Sequence, residues 1–349
     1  MRRLPVYFLI DVSESMVGEP IRQVEDGMAT IIRELKTDPY ALETVWVSII
    51  AFAGQARTLV PLQDVISFYP PRFPIGSGTS LGRALQHLMA EMKRDIKPTT
   101  YEQKGDWKPI IFLFTDGVPT DDASAAIQQW QKECATKCNL VVISFGTDTD
   151  AQLLRQLTDN ILMFHNTDAS AYKHFFKWVS ASVRTNSERV DNSTNGFELA
   201  KPDGDTLSRI DLTKPAPPAR YNDPNFVVVT AKCQNTRQPY LIKYRKVISD
   251  AGIAGLDIST RTYKLVGAYP VAESYFEMAD NGHVSKVHSD ELIGSPTCPC
   301  CGNQIVFAQC SCYNLLCIGV SAENTCPWCG TTGRYGAAEG GFDVNKSLG

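Results

Sequence analysis

The amino-acid sequence predicts an α/β protein with a doubly wound, mostly parallel sheet, followed by a small β-rich zinc-binding domain. The runs Leu4 to Ile10 and Ile110 to Phe114 are apolar almost throughout, which is typical of parallel strands covered on both faces. Amphipathic helical segments lie between such runs. Cysteine pairs after Gly294 indicate the zinc-binding part.

Strand-like and helical segments alternate through the first half of the chain. The strand-like runs are residues 4–10, 44–52, 56–60, 110–114, 140–145 and 161–164. The helical runs are residues 19–36, 80–92, 123–136, 151–157 and 169–183. Gly54-Gln55 predicts a hairpin that leads to an edge strand. This alternation favours crossover connections with helices on both faces of the sheet.

The alternation stops in a polar, Pro-rich and Asn-rich stretch. We therefore predict a first domain over residues 1–185, a linker over 186–222 with one short strand, and a second domain over 223–349. The second domain carries strand-like runs at 226–231, 240–247, 262–266 and 274–278, without helices long enough for parallel crossovers.

Composition excludes several classes of protein. The chain has 349 residues, of which 43% are hydrophobic, which is ample for two cores. A net charge of −4 argues against broad nucleic-acid binding. We see no apolar run of membrane-spanning length and no cleaved signal, and we expect a cytoplasmic protein with neither a nucleic-acid nor a membrane partner.

Three separate strings supply oxygen donors for one divalent cation. The donors are Asp11, Ser13 and Ser15 after the first strand, Thr79 in a Gly-rich turn, and Asp116 after another strand. Carboxyl ends of parallel strands share one edge of a sheet, where ligands bind. Hard oxygen donors favour Mg²⁺ or Mn²⁺ in an octahedron, and five donors leave one position open for an incoming acid. The plainer alternative is a metal-free scaffold in which these side chains cap loops.

At these residues the chain resembles the von Willebrand factor A domain, whose metal-ion-dependent adhesion site has the form DxSxS with a distant Thr and Asp. The resemblance covers about the first 185 residues and implies a Rossmann-like fold. It implies that Ser13, Ser15 and Thr79 bind the ion directly, and that Asp11 and Asp116 act directly or through water. It also implies that a carboxylate of a protein partner completes the coordination.

The last fifty residues contain cysteines at metal-binding spacing. Two CxxCG turns, Cys298 to Cys301 and Cys326 to Cys329, are typical of zinc sites. Between them lie Cys310, Cys312 and Cys317, so seven thiolates are available if Cys300 is set aside. We predict two structural zinc ions, because so short a segment buries too little apolar surface to fold unaided. An iron-sulfur or redox site is the alternative.

The sequence does not decide which residue is the eighth zinc ligand. The candidates are His288, His283, Cys233 and Cys300, and we favour His288 because it precedes the first cysteine turn by a short, turn-rich stretch. The pairing is open as well. The spacing is compatible with a ribbon, in which both turns share one zinc ion, and with an interleaved arrangement, in which they belong to different ions.

Both parts together resemble the TerY-like proteins of tellurite-resistance and stress-response gene clusters. Their C-terminal metal-binding module is described by seven cysteines and one histidine, which fits the count here. The resemblance implies a non-enzymatic adaptor that works with a protein kinase and a metal-dependent protein phosphatase.

Enzymatic alternatives fit the sequence less well. A haloacid-dehalogenase-like phosphohydrolase needs a second Asp two residues after the first, where this chain has Ser13. Its paired acidic motif should directly follow a strand, but Asp121-Asp122 starts a helix instead. A zinc hydrolase needs an open position that thiolate-filled sites lack. We expect no catalytic residues and a Glu14 side chain that points to solvent or to the partner. The basic residues Lys243, Arg245 and Lys246 of one strand could form a face for an acidic or phosphorylated partner, but we favour a solvated strand face.

Overall fold

The computed structural model describes most of the chain. The described residues are 2–115, 119–145, 151–164, 169–191, 197–202, 204, 207–209, 225–250, 259–279, 285–321, 323–336 and 340–347. Two candidate ligands, Asp116 and His283, lie outside these ranges.

One sheet accounts for the strands of the first part. They are β1 (Leu4–Asp11), β2 (Val45–Phe52), β3 (Ala56–Asp64), β4 (Ile110–Thr115), β5 (Asn139–Ser144), β6 (Ile161–Phe164) and β7 (Leu207–Arg209). Their spatial order is β3-β2-β1-β4-β5-β6-β7. β1 lies parallel to both β2 and β4, whereas β3 and β7 are antiparallel edge strands. The doubly wound, mostly parallel sheet and its hairpin to an edge strand are confirmed.

Helices cover both faces of this sheet. They are α1 (Glu19–Leu35), α2 (Pro39–Thr44), α3 (Leu81–Asp95), α4 (Ser124–Glu133), α5 (Ala151–Arg155) and α6 (Ala169–Asp191). Phe8 of β1 packs in the core with α1 and α6, whereas its neighbour Leu9 packs with α3 and α4. β1 is therefore buried on both sides, as its apolar run predicts. Among the described residues, none of the helices combines the length and hydropathy needed to cross a bilayer.

Part of the predicted linker belongs to the first domain. Helix α6 continues to Asp191, and β7 pairs with β6. The Trp178 indole donates a hydrogen bond to the Ala200 carbonyl oxygen at 2.7 Å. Phe197 and Leu199 pack against the core, so a few apolar residues anchor a segment whose average composition is polar. The domain boundaries themselves stay a prediction.

The second part is built from short strands. They are β8 (Phe226–Lys232), β9 (Pro239–Asp250), β10 (Ser259–Pro270), β11 (Ser285–His288), β12 (Leu292–Ile293), β13 (Ile305–Gln309), β14 (Leu315–Ile318), β15 (Asn324–Thr325), β16 (Thr332–Gly333) and β17 (Asp343–Lys346). Six form one sheet of order β12-β10-β9-β8-β14-β13, and the others pair as β11-β17 and β15-β16. The expected small β-rich domain is confirmed.

The strand predicted for residues 274–278 is wrong. Glu273–Tyr275 forms a 3-10 helix, and the Met278 amide donates to the Ser274 carbonyl oxygen at 3.2 Å. β10 ends at Pro270, and the next amide, that of Val271, still donates to the Pro239 carbonyl oxygen at 3.0 Å. After this bond the chain leaves the sheet and turns towards the first domain.

Candidate metal centres

The first candidate site lies at the carboxyl edge of the parallel sheet. Ile10 of β1 pairs with Phe114 of β4, so the residues that follow, Asp11 and Thr115, meet at this edge. The Thr115 hydroxyl donates to Asp11 Oδ2 at 2.9 Å. This bond fixes one carboxylate oxygen between two neighbouring strands. Asp116, the next residue after β4, lies outside the described residues.

A tight turn after β1 brings two hydroxyls together. The Ser13 amide donates to Asp11 Oδ1 at 3.0 Å, and Ser13 Oγ lies 2.9 Å from Ser15 Oγ. A 3-10 helix, Glu14–Met16, forms the turn. Asp11, Ser13 and Ser15 are at most 4% exposed. A buried carboxylate beside two converged hydroxyls suits a hard divalent cation, which takes oxygen ligands.

Thr79 lies in a loop that is tied to the first turn. The Gly76 amide donates to the Val12 carbonyl oxygen at 2.9 Å. The Thr79 amide donates to Thr120 Oγ1 at 2.9 Å, and the Thr79 side chain is buried. Gly78 has a φ of +84°, a conformation that favours glycine. Four of the five predicted oxygen ligands therefore lie on connected, buried loops at one edge of the sheet.

The Glu14 side chain does not point to solvent. It is fully buried, the Tyr275 hydroxyl donates to its Oε1, and the Gly78 amide lies 3.4 Å from its Oε2. Burial, together with the adjacent Glu14 carboxylate, raises the pKa of Tyr275 above its usual value. The expectation of an exposed Glu14 is wrong because the second domain packs against this loop.

The paired acidic residues after Pro119 cap helices. Asp121 Oδ2 accepts a hydrogen bond from the Gly82 amide at 3.0 Å, at the start of α3. Asp122 Oδ1 accepts one from the Ser124 amide at 3.0 Å, at the start of α4. Burial raises the pKa of Asp121. Carboxylates at helix amino termini satisfy free amides, which is a structural role.

Two groups of four cysteines form the other candidate centres. The first group is Cys233, Cys298, Cys301 and Cys317, and the second is Cys310, Cys312, Cys326 and Cys329. Within each group, all sulfur atoms lie within 4.8 Å of one another. All of these cysteines are free thiols. The two CxxCG turns therefore belong to different groups. Of the two pairings that the sequence left open, this is the interleaved one.

The sulfur spacing fits zinc. A tetrahedron with zinc-sulfur bonds of about 2.3 Å has sulfur-sulfur edges of about 3.8 Å. Cys301 Sγ lies 3.7 Å from Cys317 Sγ, which lies 3.8 Å from Cys233 Sγ. In the second group, Cys310 and Cys329 are 3.7 Å apart, and Cys312 and Cys326 are 3.8 Å apart. Disulfide bonds are far shorter, at about 2.05 Å.

Cys233 starts a third turn of the same geometry. Its amide donates to the carbonyl oxygen five residues on, and its carbonyl accepts from the amide four residues on. Cys298 and Cys326 make the same two bonds in the CxxCG turns. The fifth residue of each turn has a positive φ: 61° at Arg237, 77° at Gly302 and 76° at Gly330. The third turn is therefore a CxxCG turn in which the second Cys is Thr236 and the Gly is Arg237.

Hydrogen bonds stabilise a thiolate in each group. Burial alone would raise the pKa of Cys233, but the Thr236 hydroxyl and amide donate to its sulfur and lower that pKa to about 7. In the second group, burial likewise opposes ionisation of Cys310, while the Cys312 amide and other donors bring its pKa to about 6. The thiolate is the form that binds metal.

The favoured eighth ligand does not join either group. His288 Nδ1 lies 3.4 Å from Asp290 Oδ2, and β11, which ends at His288, pairs with β17. Cys233, one of the alternatives, completes the first group instead. Cys300 is in neither group, and burial raises its pKa to about 12. Nearness in sequence to the first cysteine turn favours His288. In the structure, the fourth sulfur of the first group instead comes from Cys233, in a turn that is distant in sequence.

Comparison with known families matches this architecture. Residues 6–178 match the von Willebrand factor type A domain, and residues 223–349 match the TerY-C metal binding domain. The chain joins an A domain to a TerY-C domain. The oxygen-ligand site lies in the A domain, and both cysteine groups lie in TerY-C.

Several solved structures are similar to the chain. Proximal thread matrix protein 1 from the mussel byssus is 16% identical, with 51% of this chain and 47% of that chain covered and a TM-score of 0.38. The ArnB paralog VWA2 from Sulfolobus acidocaldarius is 12% identical, with 78% and 66% covered and a TM-score of 0.37. The PilB minor pilin from Streptococcus sanguinis is 13% identical, with 53% and 62% covered and a TM-score of 0.37. This chain thus spans less than half of the mussel protein.

Proposed function

We propose that the protein is a non-enzymatic adaptor that contacts other proteins through a metal ion in its A domain. The ion, Mg²⁺ or Mn²⁺, is held by Asp11, Ser13, Ser15, Thr79 and Asp116. The observation that carries the proposal is the buried Asp11 carboxylate next to the converged Ser13 and Ser15 hydroxyls. When bound, the ion supplies a positive site for a carboxylate of the partner.

The charge balance of this ligand set favours binding over hydrolysis. Two aspartates neutralise the dication, and the hydroxyls of Ser13, Ser15 and Thr79 are neutral. The remaining coordination position is therefore free to accept a further carboxylate as a ligand. The nearby acidic side chains already accept hydrogen bonds: Glu14 from the Tyr275 hydroxyl, and Asp121 and Asp122 from helix amides.

The TerY-C domain contributes two structural zinc sites to this proposal. Eight thiols in two tetrahedral groups leave no coordination position for water, so each zinc ion stabilises the fold and does not catalyse. The resemblance to TerY-like proteins extends this proposal to a role in tellurite resistance or stress response, with a protein kinase and a metal-dependent protein phosphatase as partners in the cytoplasm. The TerY-C match supports the metal-binding part of it.

A pull-down from cell extract tests the adaptor proposal. Full-length protein and its Asp11→Ala variant are compared with magnesium and with chelator, and Asp64→Ala is the matched control at the opposite end of the sheet. We expect the wild type and Asp64→Ala to capture a kinase or phosphatase only with magnesium, and Asp11→Ala to capture neither. Phosphate-ester hydrolysis that requires Asp11 would contradict the proposal.

A further inference from the structure

The TerY-C domain contacts the loops that carry the A-domain metal ligands. The Lys243 ammonium donates to the Ser15 carbonyl oxygen, and the Tyr275 hydroxyl donates to Glu14. The Gln55 amide donates to the Met278 carbonyl oxygen at 3.2 Å. We call the A-domain loops 12–18, 53–57 and 75–79 the docking face. All three contain or adjoin proposed ligands, so TerY-C lies where the A domain would meet a partner.

Buried apolar side chains also lie in this contact between the two domains. Val17 of the A domain, which is 4% exposed, packs with Val228, Leu241 and Val271 of TerY-C, which are at most 6% exposed. Burial of such apolar side chains stabilises a contact between domains. The interface therefore has an apolar centre beside its hydrogen bonds.

Two glycines of the docking face allow close approach. A Cβ atom on Gly18 would lie 2.8 Å from the Tyr269 ring, and one on Gly76 would lie 2.6 Å from the Met278 Cβ. Real Cβ atoms do not come this close to their neighbours, so a side chain at Gly18 would displace the Tyr269 ring, and one at Gly76 would meet the Met278 Cβ and, equally closely, the Ala53 Cβ of the A domain. The A-domain sequence is therefore fitted to TerY-C at positions next to the metal ligands.

Lys243 is unusual in this interface because it is a cation with 4% of its surface exposed. Besides the Ser15 carbonyl, it lies 4.5 Å from the centre of the Phe226 ring. The expected solvated strand face for this basic run is therefore wrong at Lys243. Lys243 therefore places a buried positive charge at the contact between the two domains.

We infer that the TerY-C domain is the resident occupant of the A domain's ligand-binding face and competes there with an outside carboxylate. This inference depends on the proposed function in one respect only: the proposed function names a carboxylate of a partner protein as the outside ligand. Asp11, Ser13 and Thr79 are at most 2% exposed. TerY-C packs against the loops that carry these residues, so a partner gains access to the ion when TerY-C leaves the docking face, and the contacts of Lys243, Tyr275 and Met278 control that access.

Hydrogen exchange in the full-length protein tests the docking. Tyr275→Phe removes the donor to Glu14 and keeps the ring, and Val228→Asp puts a charge into the apolar centre. Tyr244→Phe is the matched control, because its hydroxyl donates at 3.2 Å to Gly294 within TerY-C. We expect Tyr275→Phe to speed amide exchange in residues 12–18 about tenfold, as for loss of a hydrogen bond to a charged group. Val228→Asp should have a larger effect, and Tyr244→Phe none.

Two further readouts separate docking from folding and from metal binding. Exchange in β4 and zinc content report whether each domain stays folded; if Val228→Asp loses zinc, Tyr275→Phe alone decides. Water-proton relaxation by bound Mn²⁺ should rise in the opened variants, because more water reaches the ion. Unchanged exchange in residues 12–18 would overturn the inference. Faster exchange together with Mn²⁺ affinity that survives Asp11→Ala would leave the docking intact and reject the proposed metal function.

Discussion

The two metal-binding regions of this protein are built in opposite ways. In the A domain, the oxygen donors follow strands and loops of a large sheet whose core exists without the ion, including fully buried Phe8 and Phe112. In TerY-C, thiols are themselves part of the core: Cys233, Cys298 and Cys317 pack with the β8-β9 sheet. A fold that precedes its metal tolerates metal loss, whereas a fold whose core consists of ligands does not.

The largest effect is expected from removing a thiol of the first cysteine group. Cys233→Ser should release the zinc ion of the first group and strongly destabilise TerY-C, while the second group keeps its ion and the A domain stays folded. Structural zinc contributes about 10–16 kcal/mol in small zinc-finger peptides, so an incomplete site costs a large part of the folding energy. Elemental analysis and thermal unfolding followed by circular dichroism measure both effects.

Two variants serve as controls for this prediction. Cys300→Ser and His288→Ala lie outside both groups and should keep two zinc ions. Zinc loss in His288→Ala with retention in Cys233→Ser would reverse the assignment of the eighth ligand.

Loss of a ligand from the A-domain metal site should weaken metal binding without unfolding the domain. Asp116→Ala removes a carboxylate that follows β4, and we expect Mg²⁺ affinity to fall about tenfold or more because a dication loses a charged ligand. The melting temperature of the A domain and the zinc content should stay the same, since the apolar core of the A domain and the two cysteine groups are built without this ion. Calorimetric titration measures the affinity, with the helix-capping Asp122→Ala as control. Unchanged affinity in Asp116→Ala would remove this residue from the ligand set.

The contrast between the two metal-binding regions also explains which of their features could be predicted from the sequence. The β1 and β4 runs predict buried parallel strands, and the DxSxS string after β1 indicates which edge carries oxygen donors. These signals are local. The Cys233 turn was missed because it keeps only one of its cysteines, although its CxxTR string has the length of a CxxCG turn. The burial of Glu14 could not be predicted, because it depends on Tyr275, 261 residues away in the chain.

Lys243 links the two regions, and its charge should weaken metal binding. The ammonium contacts the backbone of Ser15, whose hydroxyl is a proposed ligand, so it repels a nearby dication. Lys243→Met keeps an apolar stem and removes the charge, and we expect Mn²⁺ affinity to rise about fivefold. Arg245→Met is the matched control, because Arg245 is on the same strand but exposed. Titration followed by electron paramagnetic resonance measures both; an equal rise in the control would mean that only net charge matters.

The smallest effect concerns the incomplete turn at Cys233. Arg237 has a φ of 61°, and the other two turns of this geometry have Gly at that position. A left-handed residue other than glycine costs about 1–2 kcal/mol, whereas glycine adds about 0.5–1 kcal/mol of unfolded-chain entropy. Arg237→Gly should therefore stabilise TerY-C by up to about 1 kcal/mol, measured by denaturant unfolding with excess zinc. Arg237→Ala keeps the Cβ atom and should gain nothing, since the exposed arginine side chain is then the only loss. If Arg237→Ala and Arg237→Gly stabilised TerY-C equally, the arginine side chain would be the unfavourable feature of the third turn. The left-handed backbone would then not be.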